Sequence, residues 1–201
     1  MKKTKILAIV LCMVLVAGIS IAGTLAYLTD TAKNENTFTV GKVGIDMTEA
    51  LVDEYGDPVA GATRVYGNEY KLIPGHTYTK DPTITVDAGS EDSWLFVKIV
   101  NDIAALEKAG NTTIAAQMAA NGWTLVAGET DVYAYRAIVN AGDEVKVFET
   151  FTIDGWADVS TVTSNNTVTV TAYAIQADGF DTAADAWSGV TEDATHPNPF
   201  A

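Results

Sequence analysis

Thiols and imidazoles are nearly absent from this chain: one cysteine, Cys12, and two histidines, His76 and His196, stand among 201 residues. A zinc peptidase of the H-E-x-x-H kind needs two imidazoles on one helix face with a carboxylate beside them. Neither histidine has a second one at ligand spacing. His76 follows Pro74-Gly75 and reads as a turn or strand-edge residue. The G-x-S-x-G elbow of serine hydrolases is missing as well. No catalytic residue, cofactor or metal is therefore expected. Basic residues are scarce too, with 12 Lys+Arg against 26 Asp+Glu and a formal net charge of −14. Such a surface repels polyanions, which argues against nucleic acid and anionic membrane as partners.

What the chain does have is one long apolar run at its start. Lys2, Lys3 and Lys5 precede an uncharged stretch from Ile6 to Ala22, and small residues follow at Gly23, Thr24 and Ala26. This is the layout of a secretory signal peptide, residues 1–26, with Ala26 and Tyr27 flanking the expected cut. An uncleaved anchor helix is the alternative, since about 20 apolar residues can cross a bilayer. Either way the positive flank holds the amino end inside and the remainder is exported. Contact with the membrane is expected only through the signal peptide before cleavage. No acid lies before Tyr27, so loss of the three leader lysines takes the formal charge from −14 to −17. Cys12 leaves with the leader. The exported product then has no thiol for a disulfide and must hold its fold by burial.

The remainder reads as mainly β. Apolar and polar residues alternate in "TFTVGKVGIDM", "HTYTKDPTITVDA", "SWLFVKIV", "DVYAYRAIV", "DEVKVFETFTI" and "TVTVTAYAIQA", each bounded by Gly, Asn, Asp or Pro. In the fifth, Val145, Val147, Phe151 and Ile153 mark a core face. In the sixth, Val168, Val170, Ala172 and Ala174 share one side, while Tyr173 and Ile175 make the other partly apolar, which suits a central strand or one that touches a partner. The segment 101–123 breaks the rhythm. Asp102 is expected to cap a short helix ended by Gly110, and a second helical stretch runs from about Thr113 to Ala120, with Ile103, Leu106, Ile114 and Met118 as its apolar stripe. The expected fold is a two-sheet antiparallel sandwich, jelly-roll-like, with a short helical insertion at about 102–120. A polar arm, 27–36, precedes the sandwich domain, 37–180, and a tail without strand period, 181–201, follows it.

Four motifs lie in order along this layout. The leader ends in a G-T-x-A segment at Gly23 to Ala26; T-F-x-x-G-x-V-x-I spans Thr37 to Ile45; L-x-P-G at Leu72 to Gly75 leads into T-K-D at Thr79 to Asp81; and W-L-F-V-K-I spans Trp94 to Ile99. Together they resemble the TasA/camelysin family (TasA, CalY) of exported biofilm-matrix proteins, whose precursors are cut by a dedicated SipW-type signal peptidase. The resemblance covers the amino-terminal half well and the strand at 167–177 loosely; the helical insertion and the tail carry none of its motifs. It implies a jelly-roll-like subunit, secreted to the extracellular matrix or cell surface. There it would form fibres with itself or with related matrix subunits, each amino-terminal segment adding a strand to its neighbour. Strand addition supplies main-chain hydrogen bonds for affinity and alternate side-chain pockets for specificity. Tyr27, Leu28, Phe38 and Val40 are the expected assembly residues. Camelysin-type proteins are also described as metallopeptidases, a reading that the histidine count opposes.

Two further readings rest on composition. "DEYGD" at 53–57 and "DAGSEDS" at 87–93 cluster oxygen ligands of the kind calcium takes, but without the EF-hand spacing, and are read in preference as solvated acidic turns that keep strand edges from sticking. Of four tryptophans, Trp94 and Trp123 open apolar runs and belong to a core. Trp156 and Trp187 sit in turn-like contexts, where exposed rings would suit a carbohydrate- or surface-binding module.

Overall fold

The computed structural model describes residues 41–163, 166–191 and 200. The fold is mainly β, with three antiparallel sheets and two short α-helices among these residues. The nine strands are β1 (Ile45–Thr48), β2 (Thr77–Thr79), β3 (Thr83–Val86), β4 (Ser93–Asn101), β5 (Trp123–Leu125), β6 (Val132–Tyr135), β7 (Glu144–Lys146), β8 (Thr150–Thr152) and β9 (Val168–Gln176). They pair in the orders β1-β3-β7, β2-β8 and β5-β6-β4-β9.

The first two sheets share a single register. Thr79 pairs with Thr150, the Lys80 N–H donates to Glu149 O, the Val147 N–H donates to Pro82 O, and Thr83 pairs with Lys146, with no residue inserted on either side. The ladder is interrupted where Pro82 has no N–H to give. Its inward residues are Tyr78, Ile84 and Val86 from one side and Val145, Val147, Phe151 and Ile153 from the other, all buried. The core face expected from alternation in 143–153 is thus the observed one.

The β5-β6-β4-β9 sheet supplies the opposing residues. Leu95, Val97 and Ile99 of β4 join the same cluster as the ladder residues, together with Trp123. Ile103, Ile114 and Met118 from the helical segment complete that cluster. Within this segment the structure has a 3-10 turn at Ala104–Leu106 and helix α1 at Ile114–Ala120, capped by Thr113 Oγ1, which accepts from the Ala116 N–H at 3.2 Å. Asp102 does not cap the first turn. Its carboxylate accepts instead from the Thr167 N–H at 3.0 Å, tying the turn to the start of β9, and Asn101 Oδ1 takes the Ile103 N–H.

The other face of β4 is also buried, because a second cluster of Trp94, Phe96, Val126, Val132 and Ile175 is covered by Ala186 and Trp187. These belong to helix α2, Ala183–Thr191. Thr182 Oγ1 accepts from the Asp185 N–H at 3.1 Å and donates to the Asp185 carboxylate at 2.6 Å, a reciprocal cap. Trp187 is therefore a buried helical residue, 4% exposed, rather than a turn residue. Its ring lies 5.1 Å from that of Phe96, and its N–H donates to Glu129. Burial on both faces explains the continuous apolar run of β4 and the apolar second side of β9. The latter strand lies at the edge of its sheet, not in the centre. No helix among the described residues is long and apolar enough to cross a membrane.

Candidate functional site

Two strand edges flank one groove. Among the described residues, β9 pairs only with β4 and has an unpaired edge, while β1 pairs with β3 and its outer edge is met only at Glu49, by a bridge to Val65. The two strands approach each other at the mouth between the sheets. The groove there, about 570 Å³, is walled by Met47 and Glu49 on one side and by Val168 to Val170 on the other, with Leu72, Ile103 and Phe151 deeper. Ile45, Met47, Val168, Val170, Ala172 and Ala174 are only half-buried, although all pack against the main core. Apolar residues that face inward yet stay half-exposed mark a core not fully closed by the described chain.

The direction of the β9 backbone can be read from its ladder. The Ala177 N–H donates to Asp92 O and Thr167 O accepts from the Asp102 N–H, so odd-numbered residues of β9 turn their polar groups to β4. Alternation then aims the N–H and C=O of Val168, Val170, Ala172 and Ala174 away from the sheet. Nine residues of β9 lie in register with β4, from Ser93–Gln176 to Asn101–Val168, so this unpaired edge is long and regular. Such an edge is a template for another strand.

A polar network lies in the groove wall beneath Tyr66 to Tyr70. Glu49 is 4% exposed. One of its carboxylate oxygens accepts from Lys80 Nζ at 2.7 Å and the other from Asn68 Nδ2 at 2.8 Å. The second Asn68 Nδ2 proton goes to Ala50 O at 2.8 Å, and Asn68 Oδ1 accepts from the Val52 N–H at 3.0 Å. A buried ion pair is tolerable only when desolvation is offset by such complete hydrogen bonding. Neighbouring Tyr70 donates to Thr79 O at 3.0 Å, and burial, followed by the charge of Glu49, raises its hydroxyl pKa above the ordinary value. Its ring meets Phe151 edge-on at 5.3 Å, and Phe151 stacks on Tyr78 at 4.8 Å. Asp81 serves the same region. It accepts from the Ala50 N–H and from Arg64, whose guanidinium also reaches Thr48 O. The T-K-D motif thus carries two structural ties, and Gly75 of the L-x-P-G turn, at φ +81°, donates its N–H to Ile153 O.

The sequence-predicted assembly and cleavage residues Ala26, Tyr27, Leu28, Phe38 and Val40 lie outside the described residues, as does His196. His76 sits just ahead of β2, its ring nitrogen 2.8 Å from Tyr55 O and its ring edge-on to Tyr78. The acidic turn at 53–57 satisfies itself, since Asp53 accepts from the N–H groups of Tyr55 and Asp57. In the turn at 87–93, Ser90 and Ser93 are buried and both donate to Glu91 O. Among the described residues no three His, Cys, Asp or Glu side chains converge as metal ligands. Trp156 is 97% exposed, in the turn after β8. Sequence reasoning missed the Glu49–Asn68–Lys80 network, whose members are far apart in sequence; the bridge from Glu49 to Val65 brings Asn68 alongside. Against protein-family models, curated proteins and solved structures alike, the chain finds no match.

Proposed function

We propose that this chain is a secreted structural subunit of an extracellular fibre or matrix, built as a jelly-roll-like sandwich and assembled by strand addition. The observation that carries this reading is the long edge of β9, unpaired among the described residues, beside a groove lined with half-buried apolar residues. A strand laid there gains a row of main-chain hydrogen bonds and covers inward-facing apolar surface that the described residues leave partly wet. The donor in this reading is the arm 27–36 of a second copy, with Tyr27 and Leu28 as apolar anchors at its start and Phe38 and Val40 as assembly residues just beyond its polar middle. Export by a signal peptide ending at Ala26, cleaved by a SipW-type peptidase, would free this arm. The proposal includes no catalytic role.

Electron microscopy of the purified, processed protein tests it. Filaments are expected from protein that begins at Tyr27. They should vanish on deletion of Tyr27 to Asn36, while the β circular-dichroism spectrum and the melting of the monomer stay nearly unchanged. Normal filaments from the deletion would defeat the strand-addition reading. One observation favours a second reading: the fully exposed indole of Trp156 suits a sugar-binding face. Glycan-array binding lost in Trp156→Ala would favour that module over assembly.

A further inference from the structure

We infer that Lys80 and Asn68 become joined by an isopeptide bond, with Glu49 as the proton relay between them. One carboxylate holds both nitrogens, Lys80 Nζ at 2.7 Å on one oxygen and Asn68 Nδ2 at 2.8 Å on the other. These are the nucleophile and the leaving group of an amide exchange, fixed on the two ends of a single proton carrier. The orientation of the Asn68 amide follows from its partners, because Nδ2 faces two acceptors and Oδ1 faces a donor, the Val52 N–H at 3.0 Å. That N–H also lies where negative charge would gather on Oδ1 as Cγ becomes tetrahedral. The side chains of Lys80 and Glu49 are 11% and 5% exposed, so the amine and its proton carrier are largely shielded from water, while Asn68 is half-buried at the groove.

The step balances without any co-reactant. Glu49 takes a proton from the Lys80 ammonium, and Nζ attacks Asn68 Cγ. The second Nζ proton returns through the carboxylate to Nδ2, the Cγ–Nδ2 bond breaks, and nitrogen leaves as ammonia, taking up the remaining proton as ammonium. The groove gives it a way out, since Glu49, Asn68 and Lys80 all line it. Nothing is oxidised or reduced. The link would pin the segment carrying Tyr66 to Tyr70 to the end of β2, in a chain whose only cysteine is Cys12 of the leader. A covalent tie of this kind does for a disulfide-free exported domain what a disulfide does elsewhere. It holds whether or not the chain forms fibres.

Intact mass spectrometry of the full folded chain, followed by tryptic mapping, tests the inference. The expected mass is lower than the sequence mass by one ammonia, about 17 Da. Trypsin does not cut after an acylated lysine, so a branched fragment joining 65–71 to 72–98 should appear and the free 72–80 fragment should be missing. Lys80→Arg, which keeps the cation but not the nucleophile, should restore the unlinked mass. Glu49→Gln should leave the pair unlinked, and complete linkage in that variant would overturn the relay. Folded wild-type protein at its full sequence mass with a free 72–80 fragment overturns the inference, as does a mass loss without the branched fragment.

Discussion

Phe151 and Tyr70 show how single side chains set both the core and its response to pH. Phe151 is 2% exposed and lies between the rings of Tyr78 and Tyr70. Phe151→Ala would open a cavity at the meeting point of both sheets, and the expected loss is about 3–5 kcal/mol by urea unfolding. Tyr70 and Tyr78 both have hydroxyl pKa values raised, in each case mainly by burial, with Glu49 adding to the effect at Tyr70. The folded state therefore keeps these protons while the unfolded chain releases them near the ordinary tyrosine value of about 10. Their contribution is fully present below that pH and is lost as pH rises beyond it. Urea midpoints should fall steeply above about pH 10, and Tyr70→Phe should flatten that fall. A wild-type midpoint that stays level there would contradict the buried setting of both hydroxyls.

Among the elements, strand alternation was the part most legible in the sequence, and the reason is geometric. Residues 143–153 have one core side, so period-two patterning maps directly onto burial at Val145, Val147, Phe151 and Ile153. β9 was harder, because Tyr173 and Ile175 join the second cluster and make an edge strand look central. The signal for helix α2 was present: Thr182-x-x-Asp185 is a cap pattern, and Ala183, Ala186, Trp187 and Val190 follow helical spacing. Asp102 misled for a related reason. A carboxylate before a helical pattern is a cap by local rules, yet here the N–H of Thr167, just ahead of β9 and distant in sequence, took it. The groove itself had no local signature, since it is made by two edges brought together by topology. Its element-scale prediction follows from the ladder. Ala172 points its N–H away from β4, so Ala172→Pro should change monomer stability by no more than about 1 kcal/mol in chemical unfolding. Thr171→Pro removes a ladder hydrogen bond and should cost about 3 kcal/mol or more.

At the scale of the whole molecule, the proposed reading has an acidic exported chain without disulfides whose β domain, left incompletely closed by the described residues, would be completed by a second copy. On that reading, processed subunits of formal charge −17 would repel one another, so contact would have to come from a directional, short-range feature such as main-chain pairing. The most direct measurement uses two variants that each lack one half of that contact. The deletion of Tyr27 to Asn36 keeps the β9 edge but has no arm, and Ala172→Pro keeps the arm but has a blocked edge. Size-exclusion chromatography with light scattering should find each variant monomeric alone and a heterodimer when they are mixed, the intact arm of one filling the open edge of the other. Filaments from Ala172→Pro alone, or an equimolar mixture that stays monomeric, would contradict the account.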